Sequence, residues 1–342
     1  MAKLFTPFKI KDLTIKNRIM MPPMCMYSSD DTGRAMPWHY VHYVTRAVGQ
    51  VGLIIVEATA VEKRGRISES DLGLWDDNLV DGLTRIVEEV KKQGARIGIQ
   101  LNHAGRKCTA PHENIIAPSS IPFDESYKVP AEMTKDDIKQ VVEAFAEAAK
   151  RANMAGFDLI ELHGAHGYLI NQFLSPLTNK RVDEYGGSLE NRVRFLKEII
   201  TAVRQVWPME KALMLRVSAE EYAQGGNHAE DVAQIINLLK DEGIDMINVS
   251  SGAVVPVKMK VYPGYQVTYA ETIKRLTNLP VIAGGLITEP AMAEEILQNE
   301  RADMVYIGRE LLRNPYWPLQ AAKKLNVDII WPSQYERAKI KI

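Results

Sequence analysis

Cysteine is scarce: the 342 residues contain two, Cys25 and Cys108. A disulfide framework and a metal–sulfur cluster held by cysteines are both excluded. An excess of either charge is also lacking. Lys and Arg total 42 against 43 Asp and Glu, a formal charge of -1, so nothing favours a nucleic-acid or polyanionic partner. No apolar run approaches the roughly 18 residues of a membrane span. The opening MAKLFTPFKIKDLTIKNR places charges where a signal core would be apolar, so the expectation is a cytoplasmic protein that engages no membrane. The dinucleotide fingerprint G-x-G-x-x-G is missing, which counts against a doubly wound nucleotide-binding sheet.

What is present is a repeated unit: a helical stretch, a glycine, then a short apolar run. KKQGARIGIQL, NMAGFDLIEL and DEGIDMINVS carry it at Gly94, Gly156 and Gly243. Glycine suits the left-handed turn that ends a helix, and each following run has the length of a buried strand. Residues 17–24, 51–58, 212–218, 279–285 and 302–308 are further runs of this kind, making eight predicted strands. Near-continuous apolar strands are those of a parallel sheet covered on both faces. Helices are predicted between them, notably over 138–152, where Thr134 and Asp137 have the spacing of a capping box. Another follows from Leu189 to Val203, and a third opens at Pro290. Eight strands alternating with helices predict an α/β fold, a single (β/α)8 TIM barrel filling residues 1–342. An N-terminal β-hairpin over 8–17 is expected to plug one end.

Connections into the strands are short, whereas those out of them are long: roughly 104–134, 163–187 and 251–267. The first, with Pro111, Pro118, Pro122 and Pro130, is expected to be an irregular covering segment. In this fold such loops build the active face. The polar residues ending the strands are then expected to ring one cavity: Cys25, Glu57 with Ala58, Gln100, His163 with His166, Arg216, Ser250 with Ser251, Gly284 with Gly285, and Gly308 with Arg309.

His163 and His166, followed by Tyr168, form the densest cluster. A metal site would need a third ligand, and Glu161 is expected on the opposite strand face. A purely structural histidine pair is a second reading. Hydrogen bonding to a substrate oxygen, with Tyr168 as a nearby acid, is the stronger one. The glycines near the last two strands suit the phosphate site of this fold, with Arg309 as a bidentate contact; tight turns would need glycine too. Arg216 either pairs with Glu161 or Glu220, or faces the cavity as a fixed cation. Cys25 reads as an apolar filler more readily than as a nucleophile.

NRIMMPPMCMYS (17–28), GIQLNHAGRK (98–107), ELHGAHGYLINQFLSPLTNKRVDEYGGSLENR (161–192), YPGYQV (262–267), ADMVYIGRELLRNP (302–315) and the closing QYER (334–337) resemble the Old Yellow Enzyme family, in its bacterial NADPH dehydrogenase branch, the thermophilic-like ene-reductases. That resemblance implies noncovalent FMN over the barrel mouth, with its phosphate at Gly284, Gly285, Gly308 and Arg309. Pro22, Pro23, Met24 and Cys25 would line the flavin, as would Ala58, Gln100 and Ser250. Arg216 would stand by the flavin N1 and O2, which resolves its role. NAD(P)H would be a visiting hydride donor needing no nucleotide domain. An α,β-unsaturated aldehyde or ketone would then take its place, receive hydride from the flavin N5 at the β-carbon, and receive a proton from Tyr168 at the α-carbon, a ping-pong cycle. His163 and His166 would bind the substrate oxygen and Tyr27 would help to hold the substrate.

The resemblance also implies a homodimer or homotetramer, with a tail from about 327 to 342 at the interface and Arg337 reaching the neighbouring site. Three positions depart from the family pattern. Pro22 replaces a small residue such as serine, the tail ends Ala-Lys-Ile-Lys-Ile in place of glycine and an aromatic, and Gly164 replaces an alanine and is expected to loosen the histidine turn. The rival functions are a barrel lyase or aldolase acting on a phosphorylated substrate, with Lys107 forming a Schiff base, and a non-catalytic flavin-binding protein. The larger dienoyl-CoA reductase type requires cluster cysteines that are absent here.

Overall fold

The computed structural model describes residues 2–111 and 114–339. Eight parallel strands close into a barrel: β1 (Ile19–Met21), β2 (Leu53–Ala60), β3 (Arg96–Asn102), β4 (Leu159–Gly164), β5 (Ala212–Ser218), β6 (Met246–Ser250), β7 (Val281–Ala283) and β8 (Met304–Tyr306). Their order around the barrel is their order in the chain. The ring closes where β1 pairs on one side with β2, Met20 opposite Leu53, and on the other with β8, Val305 opposite Ile19.

Helices α1 (Pro37–Val48), α2 (Val80–Lys92), α3 (Lys135–Met154), α4 (Leu189–Val206), α5 (Ala229–Leu239), α6 (Val267–Thr277), α7 (Pro290–Gln298) and α8 (Trp317–Lys324) surround it. The predicted local signals act as read. Thr134 Oγ1 accepts the Asp137 N–H at 3.1 Å, and Asp137 returns a carboxylate to the Thr134 N–H at 3.0 Å. The turn glycines entering β3, β4 and β6 have φ of 76°, 84° and 115° at Gly94, Gly156 and Gly243.

Two apolar layers result. Outward strand residues pack under the helices, with Phe145, Leu196, Ile200 and Trp207 in that layer. Inside the barrel, Met20, Leu53, Ile55, Met214 and Met246 meet Ile10, Leu13 and Ile15. The last three belong to the antiparallel hairpin Phe8–Ile10 with Leu13–Ile15, which plugs the end where the strands begin. The chain start is stitched down beside it, the Lys3 and Leu4 N–H groups donating to Glu294 of α7 at 2.8 and 2.9 Å.

The long loops all leave the carboxyl ends of strands. The one after β3 is less irregular than expected, because Ile116–Ala117 and Ala131–Glu132 pair as short strands. The loop after β4 carries a short helix, Leu169–Leu174. After α8 the chain folds back, Tyr335 meeting Tyr316 ring to ring at 6.0 Å and Lys339 pairing with Asp328 at 2.7 Å. Residues 340–342, the end of the expected interface tail, lie outside the described residues. Among the described residues no helix is long and apolar enough to cross a membrane.

Candidate active site

Strand β1 stops at Met21, Pro22 to Tyr27 continue as an irregular strap at the barrel mouth, and Cys25 stands beyond the strand rather than at its end. Pro22, Pro23, Met24, Arg216, Ser250, Gly285, Gly308 and Arg309 line one cavity of ≈ 210 Å³, together with Tyr265, Gln266 and Tyr306. Arg216 leaves β5 and faces this cavity. It is buried, its guanidinium lies 5.6 Å from the Tyr306 ring centroid, and its Nε has no hydrogen-bond partner. A buried cation with an unmet donor at a cavity wall demands a ligand with negative character.

The glycines serve that wall in different ways. A Cβ at Gly308 would meet nothing nearer than 3.7 Å, so its backbone is left open to the cavity, whereas one at Gly284 would fall 2.1 Å from the Tyr306 ring. Gly284 therefore seats Tyr306, whose hydroxyl donates to Gln266 Oε1. Ala58 and Gln100 sit opposite each other on β2 and β3, both buried. The residues present fit a phosphorylated planar cofactor: an anion cradle at β7 and β8, a fixed cation at β5, and a strap of apolar residues beside them.

Glu161 corrects the sequence reading. Residues two apart on a strand share a face, so Glu161 points into the barrel on the same side as His163. Its carboxylate accepts from Gln100 Nε2 and Asn248 Nδ2, each at 2.7 Å. Burial pushes its pKa up, and the Arg216 charge opposes the shift. Asn248 escaped notice in the sequence, although its parity with Ser250 on β6 would have found it.

Glu57 corrects a second expectation. The β2–β3 register shifts between Val56 and Ala58, a bulge that turns Glu57 outward to α1 instead of into the ring of cavity residues. There it accepts from Tyr43 Oη at 3.0 Å and from the Met26 N–H at 2.8 Å.

Gly164 is not a loosened turn. It is the last residue of β4, and an added Cβ would lie 2.9 Å from the Arg216 carbonyl oxygen. The chain then turns sharply at His166 and Gly167, with φ of 58° and 70°. The His166 N–H donates to Ser218 Oγ at 2.9 Å, and Lys107 Nζ donates to the His166 carbonyl at 3.0 Å. The turn brings His163 and His166 together with ring centroids 5.1 Å apart, and Tyr168 comes within 4.8 Å of His163.

His163 Nδ1 accepts the Ala165 N–H at 3.3 Å, which leaves the proton of the neutral ring on Nε2. His166 Nε2 shares a 2.7 Å hydrogen bond with Ser250 Oγ. Burial, and then His166, Arg216 and Lys107 around His163 and Arg216 and Lys107 around His166, hold both imidazoles well below their ordinary pKa, so both rings are neutral.

On the opposite side the field reverses. Burial and the proximity of Cys25, Tyr27 and Asp71 push the Tyr168 phenol well above its usual value. Burial, Asp71 and Glu57 likewise push up the Cys25 thiol. Tyr27 is half-exposed, with φ 48°, and burial raises its phenol as well. The site thus has cations at Arg216 and Lys107, while Asp71 acts from the side of Cys25 and Tyr168. Among the described residues, no group of three or more His, Cys, Asp or Glu side chains is placed to hold a metal ion.

Lys107 donates to two carbonyl oxygens, of His166 and Ala253, and lies 4.4 Å from the Phe123 ring centroid. Burial lowers its pKa to about 8. This is a cation bound by acceptors, not an amine poised to attack a carbonyl, which argues against the lyase reading. Arg337 lies far down the chain in the exposed turn Ser333–Ala338.

A pH effect follows from Glu57. Burial pushes its carboxyl from the ordinary 4.5 up to about 7. Between those values the folded chain keeps a proton that the unfolded chain releases, so this residue's contribution to stability falls as pH rises and levels off above 7. Glu57→Gln removes the slope. In urea titrations the unfolding free energy of the variant, relative to wild type, is expected to rise by roughly 3 kcal/mol across that window. A pH-independent difference would contradict the assignment.

A barrel whose mouth joins an anion cradle at β7 and β8 to a buried cation and a neutral histidine pair belongs to the class of cofactor-binding barrel enzymes. Residues 3–328 match the model of the NADH:flavin oxidoreductase / NADH oxidase family. A curated NADPH dehydrogenase from Geobacillus sp. (strain WCH70) is 59% identical over 335 residues, 98% of each chain. The solved old yellow enzyme homologue from Zymomonas mobilis superposes with TM-score 0.82 at 27% identity, covering 99% of both chains. A 2-naphthoyl-CoA reductase matches with TM-score 0.90 at 25% identity; 94% of this chain is covered, and it spans only 52% of that longer protein. The chain belongs to the NADH:flavin oxidoreductase / NADH oxidase family, and the likeness of its motifs to the Old Yellow Enzymes holds along the whole chain. It is an FMN-dependent NADPH oxidoreductase.

Proposed function

We propose that the chain is an ene-reductase acting on the C=C bond of α,β-unsaturated aldehydes and ketones. The observation that carries this reading is the placement of two neutral imidazoles next to a phenol kept protonated by its surroundings. When bound, FMN supplies the hydride that NADPH has delivered to it.

The protein's own part has three components. His163 and His166 donate hydrogen bonds to the substrate carbonyl oxygen, which draws electron density from the β-carbon and stabilises the charge that develops on oxygen. Neutral donors do this without first binding a proton from solution. Tyr168 holds its proton at Oη and gives it to the α-carbon; the negative charge of Asp71 nearby opposes its early loss. Tyr27 covers the substrate from the strap, and Arg216 would hold FMN by placing its fixed positive charge at the cavity wall.

We also place the whole chain in one FMN-binding domain in the cytoplasm, assembled as a homodimer or homotetramer. Arg337 is exposed and makes no ion pair among the described residues, which suits a side chain that reaches the neighbouring site. The test is spectroscopic. Purified protein is expected to show flavin absorption that anaerobic NADPH bleaches and cyclohexenone restores. A bleached flavin that cyclohexenone leaves unchanged would refute the ene-reductase reading, and a flavin that NADPH does not bleach would favour a non-catalytic binder.

A further inference from the structure

Glu57 is an expensive residue to bury. It is 1% exposed, and among the described residues the only basic group within ion-pair reach is His39 Nε2, at 3.5 Å. That ring is no counter-charge: its Nδ1 accepts the Met36 N–H at 2.9 Å and burial lowers its pKa, so it is neutral. A buried carboxylate without a cation costs several kcal/mol unless hydrogen bonds replace its water.

The bonds that do so have a direction. Tyr43 anchors Glu57 from α1 twice, its hydroxyl donating to Oε1 at 3.0 Å and accepting the Glu57 N–H at 2.9 Å. The other oxygen, Oε2, reaches away from the strand and takes the Met26 N–H at 2.8 Å. Met26 lies between Cys25 and Tyr27, and Tyr27 carries the left-handed φ of 48° that a non-glycine residue adopts only when held. The bulge at Glu57 is what lets a residue of an otherwise regular strand reach the strap.

We propose that Glu57 is a positioning residue for the substrate site: braced by Tyr43, its carboxylate fixes the backbone at Met26 and so sets where Cys25 and Tyr27 stand over the barrel mouth. The inference rests on the reading of Tyr27 as a substrate contact. Cys25 and Tyr27 from the strap, Asp71 from the neighbouring loop, and Tyr43 and His39 from α1 are the titratable groups around the carboxylate.

The test compares Glu57→Leu, Glu57→Gln, Tyr43→Phe and Tyr27→Phe as flavin-loaded enzymes. Two readouts are taken: hydrogen–deuterium exchange at the Met26 amide, and the separate KM and kcat for cyclohexenone. Glu57→Leu is expected to exchange at least about tenfold faster and to raise KM about tenfold, with kcat changed by less than about threefold. Glu57→Gln keeps an acceptor for the Met26 N–H and should return both to within about threefold of wild type.

If Glu57→Leu does not fold, Tyr43→Phe, which removes only the brace, should shift exchange and KM the same way by a smaller factor. Unchanged exchange in a folded Glu57→Leu or Tyr43→Phe overturns the proposal, as does faster exchange with an unmoved KM while Tyr27→Phe raises it. An unmoved KM in Tyr27→Phe overturns the substrate reading of Tyr27 instead, and Met26 exchange then decides whether Glu57 holds the strap.

Discussion

Tyr168→Phe is expected to slow reduction of cyclohexenone by a factor of about 10² to 10⁴, the usual worth of a positioned general acid, while NADPH bleaches the flavin at nearly its wild-type rate. The substitution removes one oxygen and keeps the ring that packs 4.8 Å from His163, so the histidine pair stays where it is. The two half-reactions differ in what they ask of this residue. Delivery of hydride from NADPH needs no proton from the protein, whereas completing the saturated ketone does. Stopped-flow traces of the two steps, taken separately, check this. Equal loss in both would mean that Tyr168 shapes the cavity instead of giving a proton.

Arg216→Met is expected to weaken FMN binding by about 100-fold, the upper range for a charge-assisted hydrogen bond, and to destabilise the flavin-free chain by about 3 kcal/mol. The second effect comes from Glu161. That carboxylate lies fully inside the barrel, and Arg216 supplies the charge that opposes the upward push of burial. Without it, Glu161 is driven further toward the protonated form. An acid whose folded pKa lies above its unfolded one loses stability as pH rises, so the variant should be weaker relative to wild type at pH 8 than at pH 5. Fluorescence titration with FMN and urea unfolding at the two pH values measure both. An affinity within about threefold of wild type would remove Arg216 from the cofactor site.

The barrel was legible in the sequence because its signals are local and repeated. Gly94, Gly156 and Gly243 end helices by backbone geometry alone, and the 212–218 run is β5 to the residue. The cavity was legible where strand ends are regular, so Arg216, Ser250, Gly285, Gly308 and Arg309 converge as their positions indicated.

What failed was orientation. Glu161 required counting parity back from His163, and Glu57 required a bulge that no composition or period announces. Asp71 was invisible for a further reason. Asp71 acts on Cys25 and Tyr168 through space from a loop remote in the chain, and only the folded arrangement brings that charge near. Gly164 reads as a relaxed family position, yet a Cβ there would press on the Arg216 carbonyl next door.

The closure of the barrel has a consequence in time. The first strand finds its partners at Leu53 and at Val305, so one of its two edges stays open until the segment around residue 305 has been made. Glu294, which holds the Lys3 and Leu4 amides, is likewise a late arrival. During synthesis the half-built sheet presents unpaired backbone along that seam, the kind of edge on which strands of other molecules add. Every chain cut short before residue 304 keeps it. The seam between β1 and β8 is therefore the last part of the barrel to be sealed.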